Sequence, residues 1–75
     1  MKDNERTRPA VLDAAVELLE EHPAGLTCSA ISEALRDRGV QVRMFPSNHT
    51  LGAWLRIDHR FYSSLQRDRY VWRLN

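Results

Sequence analysis

The fold is decided by the stretch LTCSAISEAL, residues 26–35, which predicts a short extended segment followed by a helix. Thr27 is a favourable N-cap residue, and Leu26 before it can pack against Ile31 four positions into the helix. Gly39 can take the left-handed conformation that ends a helix. We therefore predict a short, well-capped helix between Thr27 and Gly39.

An amphipathic helix precedes this stretch. It is predicted to begin at Thr7 or Arg8, because Pro9 suits the first turn, and to end near His22. Its apolar arc is wider than one contact needs. Either this helix lies centrally in the fold, or part of it forms a homodimer interface.

A third helix and a hairpin follow. Ser47 or Asn48 is expected to cap the third helix, which should run to about Asp58. Residues 61–65 and 70–74 are rich in aromatic and β-branched side chains, which is typical of paired strands. The whole order predicts an α+β fold, a winged helix-turn-helix with three helices followed by a two-stranded antiparallel wing.

Periodicity predicts where the aromatic side chains of the third helix and the hairpin lie. The loop between the strands has no glycine, and Asp68 is its residue that best tolerates left-handed geometry. The side chains expected in the core are Trp54, Phe61, Tyr70 and Trp72. Tyr62 is the exception, because it is expected on the other face of its strand, where it is a candidate for an interface.

Three stretches carry a resemblance to a known family: residues 26–35, residues 51–61 (LGAWLRIDHRF) and residues 69–74 (RYVWRL). They resemble the second helix, the end of the third helix and the return strand of HARE-type winged-helix domains, which include the N-terminal domain of the bacterial RNA polymerase delta subunit. The resemblance implies a winged helix that binds either DNA or protein. This wing departs from the family in lacking a turn glycine and in carrying Trp72 where an aliphatic residue is usual.

Length and composition limit the architecture and the compartment. A chain of 75 residues allows one domain, which we place at residues 7–75 after a disordered tail over residues 1–6. No apolar run predicts a signal peptide or a membrane span. The single cysteine, Cys28, fits a reducing compartment. We therefore expect a cytoplasmic protein with no membrane partner.

Charge is distributed unevenly along the chain. The net charge is only +1, but the carboxylates lie mostly in the first half and the arginines mostly in the second. Such asymmetry favours a nucleic-acid partner for the basic half. We expect its arginines to converge on one surface that the third helix and the hairpin tip build.

The candidate DNA-binding residues fall into three groups. The wing tip offers Arg67 and Arg69, and the end of the second helix offers Arg38 and Arg43 as phosphate contacts. The latter two could equally stabilise that helix terminus. The outer face of the third helix offers polar groups that read bases, and small residues that allow close approach: Asn48, His49, Gly52, Ala53 and Arg56.

No pattern predicts catalysis, a metal site or a cofactor. Cys28 has no histidine placed by sequence to act as its base, and the three histidines lack metal-ligand spacing. We therefore predict that the protein is not an enzyme.

The sequence is compatible with two functions. The first is a small DNA-binding regulator of transcription, bacterial or phage, that binds double-stranded DNA and gains affinity as a homodimer through the first helix. The second is a protein-interaction winged helix that binds RNA polymerase or another host protein without reading DNA. The low net charge favours the second, as does an acidic face on the first helix formed by Asp13, Glu17, Glu20 and Glu21.

Overall fold

The computed structural model describes residues 2–40 and 45–75 of the chain, with the backbone alone for residues 2–6. Three helices are followed by a two-stranded antiparallel sheet. This arrangement confirms the predicted α+β fold class and is consistent with a winged helix. The elements are α1 (Lys2–Glu21), α2 (Cys28–Asp37), α3 (Asn48–Ile57), β1 (Phe61–Gln66) and β2 (Arg69–Leu74).

Helix α1 begins earlier than predicted. It starts at Lys2 rather than at Thr7 or Arg8, and Pro9 lies inside the helix instead of in its first turn. No glycine or second proline interrupts the residues before Pro9, so the polar N-terminal sequence can continue the helix. The boundary predicted between a tail and a domain stays a prediction.

The ends of α2 are formed by the residues that the sequence predicts. The Oγ1 atom of Thr27 accepts a hydrogen bond from the Ala30 N–H at 3.2 Å. At the other end Gly39 has a φ of 71°, and the Val40 N–H donates to the Leu35 carbonyl at 3.2 Å. This is the Schellman arrangement, which satisfies carbonyls that the helix itself leaves unpaired.

The extended segment before α2 joins the sheet. Leu26 forms an antiparallel bridge with Trp72, with N–H to oxygen distances of 3.1 and 2.7 Å. Gly25 precedes this bridge with a φ of 91°, and a Cβ atom there would lie 2.4 Å from a methyl carbon of Val71. A glycine is therefore needed for the chain to approach β2 this closely.

All the elements contribute to one core, and α1 lies centrally in it. The wide apolar arc of α1 is accounted for by contacts within the chain, so it no longer argues for a homodimer interface. The buried residues of the core cluster are Val11, Leu12, Ala15, Leu18, Leu19, Ile31, Leu35, Leu51, Leu55, Phe61 and Trp72.

One aromatic prediction is wrong. Tyr70 was expected in the core and is 62% exposed, whereas Phe61 and Trp72 are buried as expected and Trp54 is partly buried. Alternation along a strand predicts the face on which a side chain lies, but not how far the core extends along that face. The hairpin continues past the core, and Tyr70 lies on this projecting part.

The hairpin loop consists of two residues, Arg67 and Asp68, between the paired residues Gln66 and Arg69. Arg67 has a φ of 58° and is the one non-glycine residue with a positive φ in the described chain. The left-handed position expected at Asp68 therefore lies one residue earlier. Propensity favours aspartate there, but the register of the strands determines which loop residue must turn.

Candidate nucleic-acid interface

Burial of one side of α3 determines which side faces outward. Leu51 and Leu55 are fully buried, and Ser47 caps the helix by accepting a hydrogen bond from the Thr50 N–H at 3.2 Å. Residues on the opposite side of a helix must then face solvent. The exposed residues on that side are Asn48, His49, Ala53 and Arg56, with Gly52 partly exposed between them.

An open groove of about 540 Å³ runs between this face of α3 and the sheet. All five residues predicted on the outer face of α3 line it. The other side of the groove is formed by Ser63, Tyr70 and Trp72, with Cys28 of α2 at one end. None of the described residues that line the groove is acidic, so its only charged or titratable side chains are Arg56, His49, Cys28 and Tyr70.

The N-termini of α2 and α3 are linked. The Asn48 amide donates to the Ser29 hydroxyl at 3.3 Å, and the Cys28 thiol donates to the Asn48 carbonyl at 3.2 Å. The free N–H groups at a helix N-terminus attract anions, and here two such ends lie side by side. Asn48 is therefore held in place, and it must exchange its contact with Ser29 before its amide can read a base.

Cys28 fits a structural role. Burial raises the pKa of its thiol, and this outweighs the hydrogen bond to the backbone of Gly52, which lowers the pKa. The thiol is therefore neutral at physiological pH, which suits a small packing residue rather than a nucleophile.

Gly52 stands where the fold does not need a glycine. A Cβ atom there would lie 3.9 Å from the Cys28 sulfur, an ordinary van der Waals distance, and Gly52 has no positive φ. Glycine inside a helix costs roughly 1 kcal/mol relative to alanine. Glycine at this position therefore lowers stability without relieving a contact within the described chain.

The other predicted arginines lie apart from the groove. Arg67 and Arg69 are exposed at the hairpin tip, and Arg69 lies on the strand face opposite to Tyr70. Arg38 forms an ion pair with Glu21 of α1. Arg43 lies outside the described residues.

The expectation that all the arginines of the C-terminal half converge on one surface is wrong. Several of them serve contacts within the chain: Arg36 lies over the Phe45 ring at 4.9 Å, and Arg73 donates to a backbone carbonyl of the turn after α1 at 3.1 Å. Arg60 pairs with two carboxylates. Among the described residues of this half, the arginines whose side chains make no ion pair, hydrogen bond or ring contact are Arg56, Arg67 and Arg69.

Sequence reasoning missed the sheet side of the groove. Tyr70 and Trp72 were both placed in the core, yet Tyr70 is exposed in the groove and Trp72, although buried, forms part of its wall. Tyr70 is close to the loop in the sequence, and this is the signal that could have distinguished its exposed position from the buried position of Trp72. A strand residue near a hairpin tip has fewer neighbours to bury it.

Among the described residues, no group of histidine, cysteine and carboxylate side chains is arranged to hold a metal ion. No helix in the described ranges is long and apolar enough to cross a bilayer. No protein-family model, curated protein or solved structure matches this chain.

Proposed function

We propose that this protein is a small DNA-binding winged-helix protein that regulates transcription in a bacterium or phage, acting in the cytoplasm. Helix α3 enters the major groove and the hairpin lies on the flanking groove. We also propose that the winged helix is of the HARE type, as the sequence motifs suggest. The observation that carries the DNA-binding proposal is the outer face of α3. This face is exposed, has no carboxylate and carries its smallest side chains at Gly52 and Ala53.

The shape of this face suits a DNA groove. The major groove is about 12 Å wide and admits an α-helix, and closer entry is possible where the helix carries small side chains. Gly52 and Ala53 supply that narrow section, while His49 and Arg56 flank it with groups that reach base edges or phosphates. The destabilising glycine is then explained by close approach to the DNA.

The charges without partners also favour DNA. Arg56 on α3 and Arg67 and Arg69 at the hairpin tip are exposed, and none of them is neutralised within the described chain. A cation that is already paired must lose its partner before it binds a phosphate, whereas these three need not. They therefore mark the DNA-facing side better than Arg38 or Arg60 does.

A single module of this size makes few contacts, so useful affinity calls for a symmetric dimer on a two-fold DNA site. The homodimer through α1 stays a prediction, and it must use residues other than the buried ones of the core. A measurement of the mass in solution, with and without DNA, tests it.

The experiment that tests the proposal compares two arginine variants on one DNA probe. A fluorescein-labelled 30-base-pair duplex pool of mixed sequence is titrated with wild-type protein, with Arg56→Ala and with Arg8→Ala. Arg8 is exposed on α1, so its variant removes the same charge from outside the groove. We expect Arg56→Ala to weaken binding about tenfold, in line with one lost charge-assisted contact, and Arg8→Ala to bind nearly as the wild type does. Equal losses from the two variants would reject the proposed site.

A protein-interaction role is the second candidate, with RNA polymerase or another host protein as the partner. It is favoured by the acidic face of α1, where Glu17 and Glu20 are exposed and form no ion pair within the described chain. The other two acidic residues of that face, Asp13 and Glu21, are already paired with Arg60 and Arg38. This candidate predicts no duplex binding at moderate salt and specific retention of a protein in a pull-down that Glu17→Gln with Glu20→Gln abolishes.

A further inference from the structure

The hairpin ends in an exposed apolar pair. Leu65 and Tyr70 are direct cross-strand partners, and they are 61% and 62% exposed. The next pair on the same face is Ser63 with Trp72, where Trp72 is 7% exposed. The core therefore stops at Trp72, and the Leu65–Tyr70 pair projects beyond it.

This pair continues one wall of the groove. Tyr70 and Trp72 alternate on the same strand face and both line the groove beside α3. Apolar side chains that a protein leaves exposed together, next to a binding groove, often mark a contact with a partner. The pair and the outer face of α3 thus belong to one continuous surface.

The geometry of duplex DNA indicates what meets the pair. If α3 occupies the major groove, the strand that separates the two DNA grooves must pass through the space between α3 and the hairpin. The hairpin tip then lies over the adjacent minor groove. Arg67 and Arg69 at the tip outweigh Asp68 between them, so the charge there complements the phosphates.

We propose that Leu65 and Tyr70 pack against the deoxyribose edges of the minor groove, beside the strand that the groove of the protein holds. Sugar edges present carbon-bound hydrogen to the minor groove, and the two side chains offer apolar surface to cover them. Arg67 binds the neighbouring phosphate. This inference rests on the proposed function and adds a contact that is apolar and independent of base sequence.

The first test separates apolar contact from charge. The double variant Leu65→Ser with Tyr70→Ser is titrated against the same mixed-sequence duplex pool at several salt concentrations, beside Tyr62→Ser. Tyr62 is 40% exposed and lies on the other face of the hairpin, so it is the matched control. We expect the double variant to bind about three- to tenfold more weakly with an unchanged salt dependence, because no phosphate contact is lost. Arg67→Ala should instead reduce the salt dependence by about one unit of slope.

The second test uses a competitor that binds the minor groove. Netropsin occupies the minor groove of A·T-rich duplexes, so it should weaken binding of the wild type to an A·T-rich probe and leave the double variant little affected.

The possible outcomes distinguish this inference from the proposed function. If the double variant binds DNA as tightly as the wild type does and responds to netropsin in the same way, this inference is overturned and the proposed function still holds. If the wild type binds no duplex at all, the proposed function fails and the inference with it. If a pull-down with the wild type and with Tyr62→Ser retains the same protein, and a pull-down with the double variant does not, the pair contacts a protein partner instead.

Discussion

Arg67 holds a backbone conformation that arginine rarely adopts. Its φ of 58° lies in the left-handed region, where a Cβ atom crowds the following carbonyl and costs roughly 1–2 kcal/mol. Two-residue hairpin loops favour glycine or asparagine at such a position. An arginine at this position therefore lowers stability, and the proposed phosphate contact explains why it is tolerated.

Replacing Arg67 tests this trade-off. Arg67→Gly should raise the free energy of unfolding by about 0.5–1 kcal/mol, because relief of the strain exceeds the entropy that glycine adds to the unfolded chain. The same variant should bind DNA more weakly. Urea unfolding measures the first effect, and Asp68→Gly is the matched control, since Asp68 has no positive φ and gains nothing from glycine. A destabilised Arg67→Gly protein would contradict this account of the loop.

Gly52 offers a second test at a single residue. Gly52→Ala should raise the free energy of unfolding by roughly 1 kcal/mol, because the helix gains propensity and the new Cβ meets the Cys28 sulfur only at contact distance. The free energy of DNA binding should be reduced by more than the free energy of unfolding is raised, because the added methyl group prevents close approach to the DNA. Thermal unfolding and duplex titration on the same sample check both directions. An alanine variant that is more stable and binds DNA equally well would leave the glycine unexplained.

At the scale of elements, one ionic cluster connects α1 to the turn between α3 and β1. The Asp58 carboxylate accepts hydrogen bonds from the Arg60 backbone N–H at 2.9 Å and from the Arg60 guanidinium at 3.1 and 2.9 Å. The same guanidinium donates to Asp13 of α1 at 3.0 Å. The side-chain hydrogen bond from Arg60 is the main reason that the pKa of Asp58 lies below its usual value.

This cluster predicts a specific dependence of stability on pH. An aspartate whose pKa is lower in the folded state stabilises the fold fully above its unfolded pKa of about 3.9, and that contribution is lost as the pH falls through the folded value. Asp58→Asn should therefore lower the free energy of unfolding by roughly 1 kcal/mol at pH 7 and by less near pH 2. Asp37→Asn is the control, because Asp37 is exposed and makes no ion pair within the described chain. Equal acid sensitivity in the two variants would count against the cluster.

The elements that the sequence predicts best are those whose signals are local. The Thr27 cap, the Gly39 terminus and the Ser47 cap each depend on a few neighbouring residues, and all three are confirmed. The start of α1 was misplaced because Pro9 was taken as a first-turn residue, whereas the helix runs through it and loses one backbone hydrogen bond there. Local propensity favours the first-turn position, where no such bond is lost.

At the scale of the whole molecule, charge was harder to predict than burial. The helical face of Asn48, His49, Gly52, Ala53 and Arg56 follows from periodicity, and the structure brings these residues together in one groove. The partners of the arginines depend on long-range contacts, such as Arg60 with Asp13 or Arg38 with Glu21. From the composition alone, these paired arginines cannot be distinguished from arginines that are available to bind a ligand.

We propose that Arg56, Arg67 and Arg69 neutralise DNA phosphates, the first from α3 and the other two from the hairpin tip. The most direct measurement is the slope of the logarithm of the duplex association constant against the logarithm of the salt concentration. Three phosphate contacts predict a slope of about −2.7 per protomer, and about twice that for a dimer. An affinity for duplex DNA that is absent at low salt, or that does not fall as salt rises, would contradict the claim.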